Sequence, residues 1–314
     1  MADIIGPARI ENIEPPKPDY DVQLESLNQW QIAWRRFKRH RMAIIGSTMF
    51  FTMVGIGIIG PFIFQYDANN IPLPDVKVNA GRPPSLAHLF GETGRLQLDV
   101  LTLVINGIRM SLLIGVIASA LGAIIGTIVG GVAGYFGGWT DTILMRIVDA
   151  LLSLPLLFVI LAFSQFVGQG TGSWLTITII FGLFGWLGIA RLVRAVILSL
   201  READYVDAAR AAGVGDARII FRHLVPNSLS PIIVATTLGV AGVIIGEAFV
   251  SFLGFGVDPA TPTLGNILSG ALEFISQGNW WWAFFPGAAI VVIVLGINFM
   301  GDGLRDALDP RVKV

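Results

Sequence analysis

The sequence predicts an all-α integral membrane protein with six membrane-crossing helices. Three observations carry that expectation. The 314 residues are 54% hydrophobic and only 14% charged, with a mean hydropathy of +0.72, which is too apolar for an ordinary soluble domain. The apolar residues gather in long runs, each near or above the roughly 20 residues that a helix needs to cross a bilayer. Arg and Lys crowd the connections on one side of those runs. In hydrocarbon the backbone must satisfy its own hydrogen bonds, so the runs are read as helices rather than strands.

Taken in order, residues 1–41 form a cytoplasmic N-terminal tail. Its first 29 residues are polar, with Pro15, Pro16 and Pro18, and read as a mobile arm. Residues 30–41, WQIAWRRFKRHR, are basic and amphipathic, with Trp30, Trp34 and Phe37 at helical spacing. The apolar side suits the headgroup level and the cations suit anionic lipid. A nucleic-acid patch is the weaker reading, because an apolar run begins at the next residue and the net charge is −1. Span one, 42–64, contains no charged residue, and Arg35, Arg36, Lys38, Arg39 and Arg41 set its start in the cytoplasm. Residues 65–101 form an outside loop of mixed charge, in which Asp67, Asp75, Glu92 and Asp99 offset Lys77, Arg82 and Arg95.

Span two lies within 102–135, with Arg109 at its mouth. Gly122, Gly126, Gly130, Gly134 and Gly138 recur every fourth residue, a row of bare backbone that allows close helix contact. Span three, 143–167, is expected to be kinked by Pro155, with Arg146 and Asp149 paired near its start. A short outside turn leads to span four, 174–193, which carries Gly182, Gly185 and Gly188. Span five, 228–253, holds one carboxylate, Glu247. The outside segment 254–282 has no Lys or Arg, and its Trp280, Trp281 and Trp282 read as an interfacial anchor. Span six, 283–300, carries Asn298. The membrane domain is set at 42–304 and a cytoplasmic tail at 305–314, so both termini face the cytoplasm.

Between spans four and five lies a polar, strongly helical loop, 199–227, SLREADYVDAARAAGVGDARIIFRHLVPN. Ser199-x-x-Glu202 reads as a capping box, with Glu202 and Asp204 in the first turn where the helix dipole favours negative charge. Ala203, Val206, Ala209 and Ala212 form a face of small side chains, and Gly213 ends the helix. A second short helix is expected over 216–223, before Pro226-Asn227. A small-faced, charge-rimmed helix suits insertion into a cleft on another protein. A solvated connector is the equally weighted alternative on spacing alone.

The chain offers little chemistry of its own. It has no cysteine, so disulfides and thiolate metal sites are excluded. None of its lysines follows a glycine, so there is no phosphate-cradling P-loop, and neither GxSxG nor HExxH occurs. The reading is therefore not an enzyme, and it assigns no catalytic residue and no metal site. Glu247, a carboxylate at membrane depth, keeps a stand-alone ion-coupled transporter or channel open as the alternative. Glu247 and Asn298 are the candidates for a substrate path or gate, set against plain roles in helix packing.

Several stretches also resemble a known family. DAARAAG, nine residues and then HLVP is similar to the EAA loop of ABC-importer permeases, with Asp207, Ala208, Ala209, Gly213 and Pro226 matching and Asp standing for Glu. HLVPN is close to the HxLPN form of the dipeptide/oligopeptide (Dpp/Opp, DppC/OppC-like) branch. WRRFKRHRMAIIG, GYFGGWTDTILMRIVDALLSLPLL, GEAFVSFLGFGVDPATPTLGNIL and FFPGAAIVVIVLGINFMGDGLRDALDPR resemble that branch in the same order. GETGRLQLDVLTLVINGIRMSL matches only in part, because Gly94-Arg95 is offset from Asp99-Val100 and Leu103 stands where the family has Arg. The start of span two is therefore expected to be built differently.

The resemblance implies a MetI-like, type I ABC-importer permease working by alternating access. It implies a homologous second permease, two cytoplasmic ABC ATPases that bind ATP and Mg, and an extracytoplasmic solute-binding protein. No cofactor would belong to this chain, and its place would be the cytoplasmic membrane. The loop would be the ATPase-coupling helix, with Tyr205, Asp207, Ala208, Ala209, Arg210, Gly213, Arg218 and Pro226 as its site residues. Substrates in the resembled family are di- or oligopeptides, with nickel, glutathione or oligosaccharides among its relatives.

Overall fold

The computed structural model describes residues 29–64, 81–94, 98–167 and 173–309. Residues 1–28 of the expected arm, most of the first outside loop, the turn after residue 167 and the last five residues lie outside the described residues. Among the described residues five helices are long and apolar enough to cross a membrane. They are α2 (Arg41–Ile63), α3 (Val100–Phe136), α6 (Ser173–Leu200), α10 (Leu229–Phe252) and α12 (Trp280–Leu308). The fold is thus all-α and multi-span, and the six continuous spans read from sequence reduce to five.

The stretch expected to form span three is divided into two shorter helices. Its residues form α4 (Gly138–Leu152) and α5 (Leu156–Val167). Pro155 has no N–H to donate and disfavours helical geometry in the residue before it, so it ends a helix instead of bending one. At about 1.5 Å per residue neither piece alone reaches the roughly 30 Å of a hydrocarbon core. The pieces nevertheless lie towards opposite ends of the bundle. Along its length α4 is tied to α6, by an Asp141–Arg194 ion pair near its start and an Asp149–Arg191 pair near its end. In α5, Ile160 packs with Ile114, Ile177, Val250 and Val257, towards the opposite end.

The packing axis is α3, whose 37 residues extend roughly 55 Å. Its first half shares a core with α10, α11 (Leu264–Ile275) and α12, through Val104, Ile108, Ile244, Ile267 and Ile293. Its second half lies against α6. A side-chain carbon built at Gly122 would stand 3.1 Å from the Gly185 carbonyl carbon, and at Gly126 2.8 Å from the Trp186 oxygen. At Gly134 it would stand 2.9 Å from the Arg194 oxygen, and at Gly130 closer still to the Ala190 oxygen. Residues 186, 190 and 194 are themselves four apart, so two matched rows meet backbone to backbone. The fifth glycine of the expected row departs. Gly138 faces open space at φ +52° and begins α4.

At one end of the bundle the chain folds back more than its sequence announced. The expected outside segment contains α11, a 12-residue apolar helix with Leu264, Ile267, Ala271 and Phe274 buried. Thr263 caps it by accepting from the Asn266 amide at 3.2 Å. Of the three tryptophans only Trp280 is exposed. Trp281 and Trp282 are buried, Trp282 stacks on Phe274 at 5.1 Å, and the Trp281 indole donates to the Glu92 carbonyl at 3.2 Å. A three-residue interfacial anchor is therefore corrected to one residue, because the start of α12 is enclosed by α11 and the Gly81–Gly94 segment.

The departed motif before α3 is a compact polar knot. His88 bridges two carboxylates, Glu92 at Nε2 and Asp99 at Nδ1, both at 2.9 Å. Asp99 in turn caps α3, accepting from the Thr102 amide at 2.8 Å. Glu92 and Asp99 pair as a single antiparallel bridge, which closes the loop across the offset residues.

Candidate functional site

The 199–227 loop lies at the opposite end of the bundle, beyond the last turns of α3. Its polar start does not form the expected capping box. Ser199 still belongs to α6, and Glu202 pairs with Arg201 at 2.9 Å instead of reaching back to a helix start. The first loop helix is α7 (Asp204–Ala211), with Asp204 and Asp207 in its first turn. Gly213, at φ +76°, closes it. The Val214 amide donates to the Ala209 carbonyl at 3.1 Å and the Gly213 amide to the Arg210 carbonyl at 2.9 Å, the paired bonds of a glycine-terminated helix. Next come α8 (Asp216–Ile219), one widened π turn over Ile220–Leu224, and α9 (Val225–Asn227), which carries Pro226 exposed in its only turn.

A small apolar core holds this loop to the bundle. Val206, Ile219, Ile220 and Leu224 are buried with Val193 and Ile197 of α6, Ile232 of α10 and Tyr135 of α3. Ala209 packs against the same core. Of the small face read from sequence, Ala203, Val206 and Ala209 therefore turn inward, whereas its fourth member, Ala212, is exposed. The outward face of α7 is Tyr205, Ala208 and Ala212, with Gly213 beside it. The physical reason is Val206, an aliphatic side chain on a short helix that gains most by joining the nearest apolar cluster.

Polar bonds fix the orientation. The Tyr135 hydroxyl donates to Asp216 at 2.7 Å, and the Arg210 guanidinium stands 5.4 Å from the Tyr135 ring. Arg210 also pairs with Asp207 at 2.9 Å, so these two expected contact residues satisfy each other across one helical turn. Arg201 donates to the Gly134 carbonyl at 3.2 Å, placing a cation on the negative end of α3. Arg218 is exposed. At the base of α4 the Arg194 guanidinium holds the Asp141 carboxyl below the ordinary carboxylate range. Asp149 turns to Arg191, so the expected Arg146–Asp149 pair gives way to one between helices. Tyr135, Asp216 and Arg201 were missed as members of the site. Only the position of Tyr135 at the end of the glycine row hinted at its role.

Glu247 is far from this loop and is fully buried. Its two oxygens accept from Ser111 of α3 at 3.1 Å and Ser251 of α10 at 2.8 Å. The two hydroxyls in turn accept from backbone amides, Ser111 from Leu264 and Ser251 from Val257, each at 3.2 Å. Close approach makes this possible. A side-chain carbon at Gly265 would stand 2.6 Å from the Ala248 carbonyl oxygen. The carboxylate thus ties α3, α10 and the start of α11 into one knot. Asn298 is half-buried on α12 and forms no hydrogen bond to another helix among the described residues.

Comparison with known proteins adds two family matches. Residues 122–314 match the family described as binding-protein-dependent transport system inner membrane component. Residues 28–82 match the N-terminal TM domain of oligopeptide transport permease C. The chain is similar to the dipeptide transport system permease protein DppC of Bacillus subtilis, 38% identical over 96% of this chain and 92% of the relative. It is similar to DppC of Alkalihalophilus pseudofirmus, 37% identical over 96% of each chain. It is also similar to the oligopeptide transport system permease protein OppC of B. subtilis, 36% identical over 93% of each.

Proposed function

We propose that this chain, which belongs to the family of binding-protein-dependent transport system inner membrane components, is one permease subunit of an ATP-driven importer of di- or oligopeptides. The observation that carries this reading is 38% identity to a dipeptide permease, sustained over nearly the whole of both chains. The partners follow from that membership: a homologous second permease, two ABC ATPases that bind ATP and Mg, and a solute-binding protein on the other side of the membrane.

Six crossings in a MetI-like arrangement are part of the proposal. Residues 143–167 would make one broken crossing, supported by the Asp149–Arg191 tie near its start and the packing of Ile160 near its end. The 199–227 loop and both termini would then lie in the cytoplasm, as the cations before α2 favour. The outward face of α7 would dock in a cleft of the ATPase, with Tyr205, Ala208 and Gly213 in contact, Arg218 and Pro226 beside them, and Ala209, Asp207 and Arg210 holding the helix in its seat. ATP-driven closure would move α7 and, through Tyr135 and the shared core, α3, α6 and α10. Alternating access would result.

Glu247 would be a positioning residue that keeps α11 against α3 at the outer mouth. Asn298 would face the substrate path or the second permease. A self-sufficient ion-coupled transporter finds little support around Glu247, whose oxygens are engaged by two hydroxyls inside the protein.

The test is peptide uptake in membranes containing the whole assembly. Gly213→Trp and Ala208→Trp should abolish uptake with the chain still present in the membrane at its normal level. Normal uptake by both would sink the coupling assignment.

A further inference from the structure

The strongest unassigned feature is α1 (Gln29–Arg39), at the same end of the bundle as the loop. Its inner face is occupied. Ala33 is buried, Phe37 lies beside Gly303 of α12, and Arg36 donates to the Asp309 carbonyl at 2.9 Å. Its outer face is exposed among the described residues. Trp30 and Trp34 are 53% and 57% exposed, one helical turn apart. Lys38 stands 4.9 Å over the Trp34 ring, and Arg35, Arg39 and Arg41 are exposed. Among the described residues no carboxylate forms a salt bridge with Arg35, Lys38, Arg39 or Arg41.

The setting specifies what this face meets. One residue, His40, separates α1 from α2, and its Nδ1 accepts from the Ala43 amide at 3.1 Å, fixing the turn. Directly beyond it α2 exposes Met42, Ile44 and Ile45, the first side chains of a membrane-crossing helix. The outer face of α1 therefore stands where hydrocarbon gives way to water. Exposed indoles are at home at that depth, and cations there face lipid phosphates.

We propose that the outer face of α1 binds anionic phospholipid headgroups, with Trp30 and Trp34 seated at the acyl boundary and Arg35, Lys38 and Arg39 meeting the phosphates. Charge complementarity selects the occupant, because a cluster of exposed cations with no carboxylate partner among the described residues, beside two indoles, fits a negatively charged lipid surface better than a neutral one.

The test is native mass spectrometry of the detergent-purified complex, titrated with phosphatidylglycerol or with phosphatidylcholine. The wild type should retain phosphatidylglycerol in preference to phosphatidylcholine. A triple variant, Arg35→Gln, Lys38→Gln and Arg39→Gln, should bind the anionic lipid more weakly by about fivefold per removed cation at low ionic strength. Binding of phosphatidylcholine should be unchanged. Equal retention of both lipids by the wild type would overturn the proposal, as would a preference that survives the triple variant. Loss of retention when the ATPase subunits are bound would also overturn it, placing a protein on this face.

Discussion

Glu247 is held by a relay rather than by a countercharge. Backbone amides of Leu264 and Val257 donate to two serine hydroxyls, and the hydroxyls donate to the carboxylate. Glu247→Gln keeps the shape and can still accept one of these bonds. Glu247→Ala strands both hydroxyls and leaves a cavity, and should cost about 2–4 kcal/mol. Thermal unfolding in detergent should therefore rank wild type above Gln and Gln above Ala. An Ala variant that melts with the wild type would remove the relay from the list of stabilising features. Tyr135 makes a parallel case at the other end. Tyr135→Phe deletes the bond to Asp216, worth about 1.5–3 kcal/mol for a charged acceptor, and should lower uptake while the amount of protein in the membrane holds. Unchanged uptake would mean that the loop is seated by its apolar core alone. The sequence marked Glu247 because a lone carboxylate in an apolar run is visible. Ser111 and Tyr135, its counterparts in importance, look like any other residues of α3.

Helices behaved as their local chemistry required, and errors arose where a face or a partner had to be chosen. The glycine row of α3 was legible because a four-residue period has one structural use, close approach, and four of its five members serve it. Gly130→Leu should then prevent α3 and α6 from closing and remove the protein from the membrane, whereas Gly188→Ala, with nothing near its added carbon, should be tolerated. Equal levels of the two variants, measured by immunoblot of membranes, would contradict the α3–α6 contact. The stop of α7 at Gly213 was also readable, since positive φ at a helix end calls for glycine, but its start was not, because the helix begins at Asp204 and Ser199 still belongs to α6. Which face of α7 looks outward was not, because periodicity identifies an apolar stripe without saying whose core receives it. The ion pairs failed for the same reason. Arg146 and Asp149 are neighbours along one helix, but Arg191 reaches Asp149 from another. The helix α11 was hidden by its length, too short for a span and too apolar to stay outside.

Taken whole, the molecule is built around α3. Ser111 and Tyr135 lie 24 residues apart on it, roughly 36 Å along one continuous helix. One rigid element therefore joins the Glu247 knot at one end to the seat of the loop at the other. A pull on α7 would reach the far end without any change inside α3, the property that alternating access requires of a lever. The central claim is that α7 meets the ATPase through its outward face, Ala208 foremost, while Ala209 faces home. The chain has no cysteine, so single cysteines at the two positions can be compared directly. The most direct measurement is photo-cross-linking from a benzophenone maleimide attached to Ala208→Cys or Ala209→Cys in membranes of the assembled, transport-competent complex. The prediction is a product with the ATPase subunit from position 208 and little or none from position 209. A product from 209 alone, or from neither while uptake continues, would contradict it.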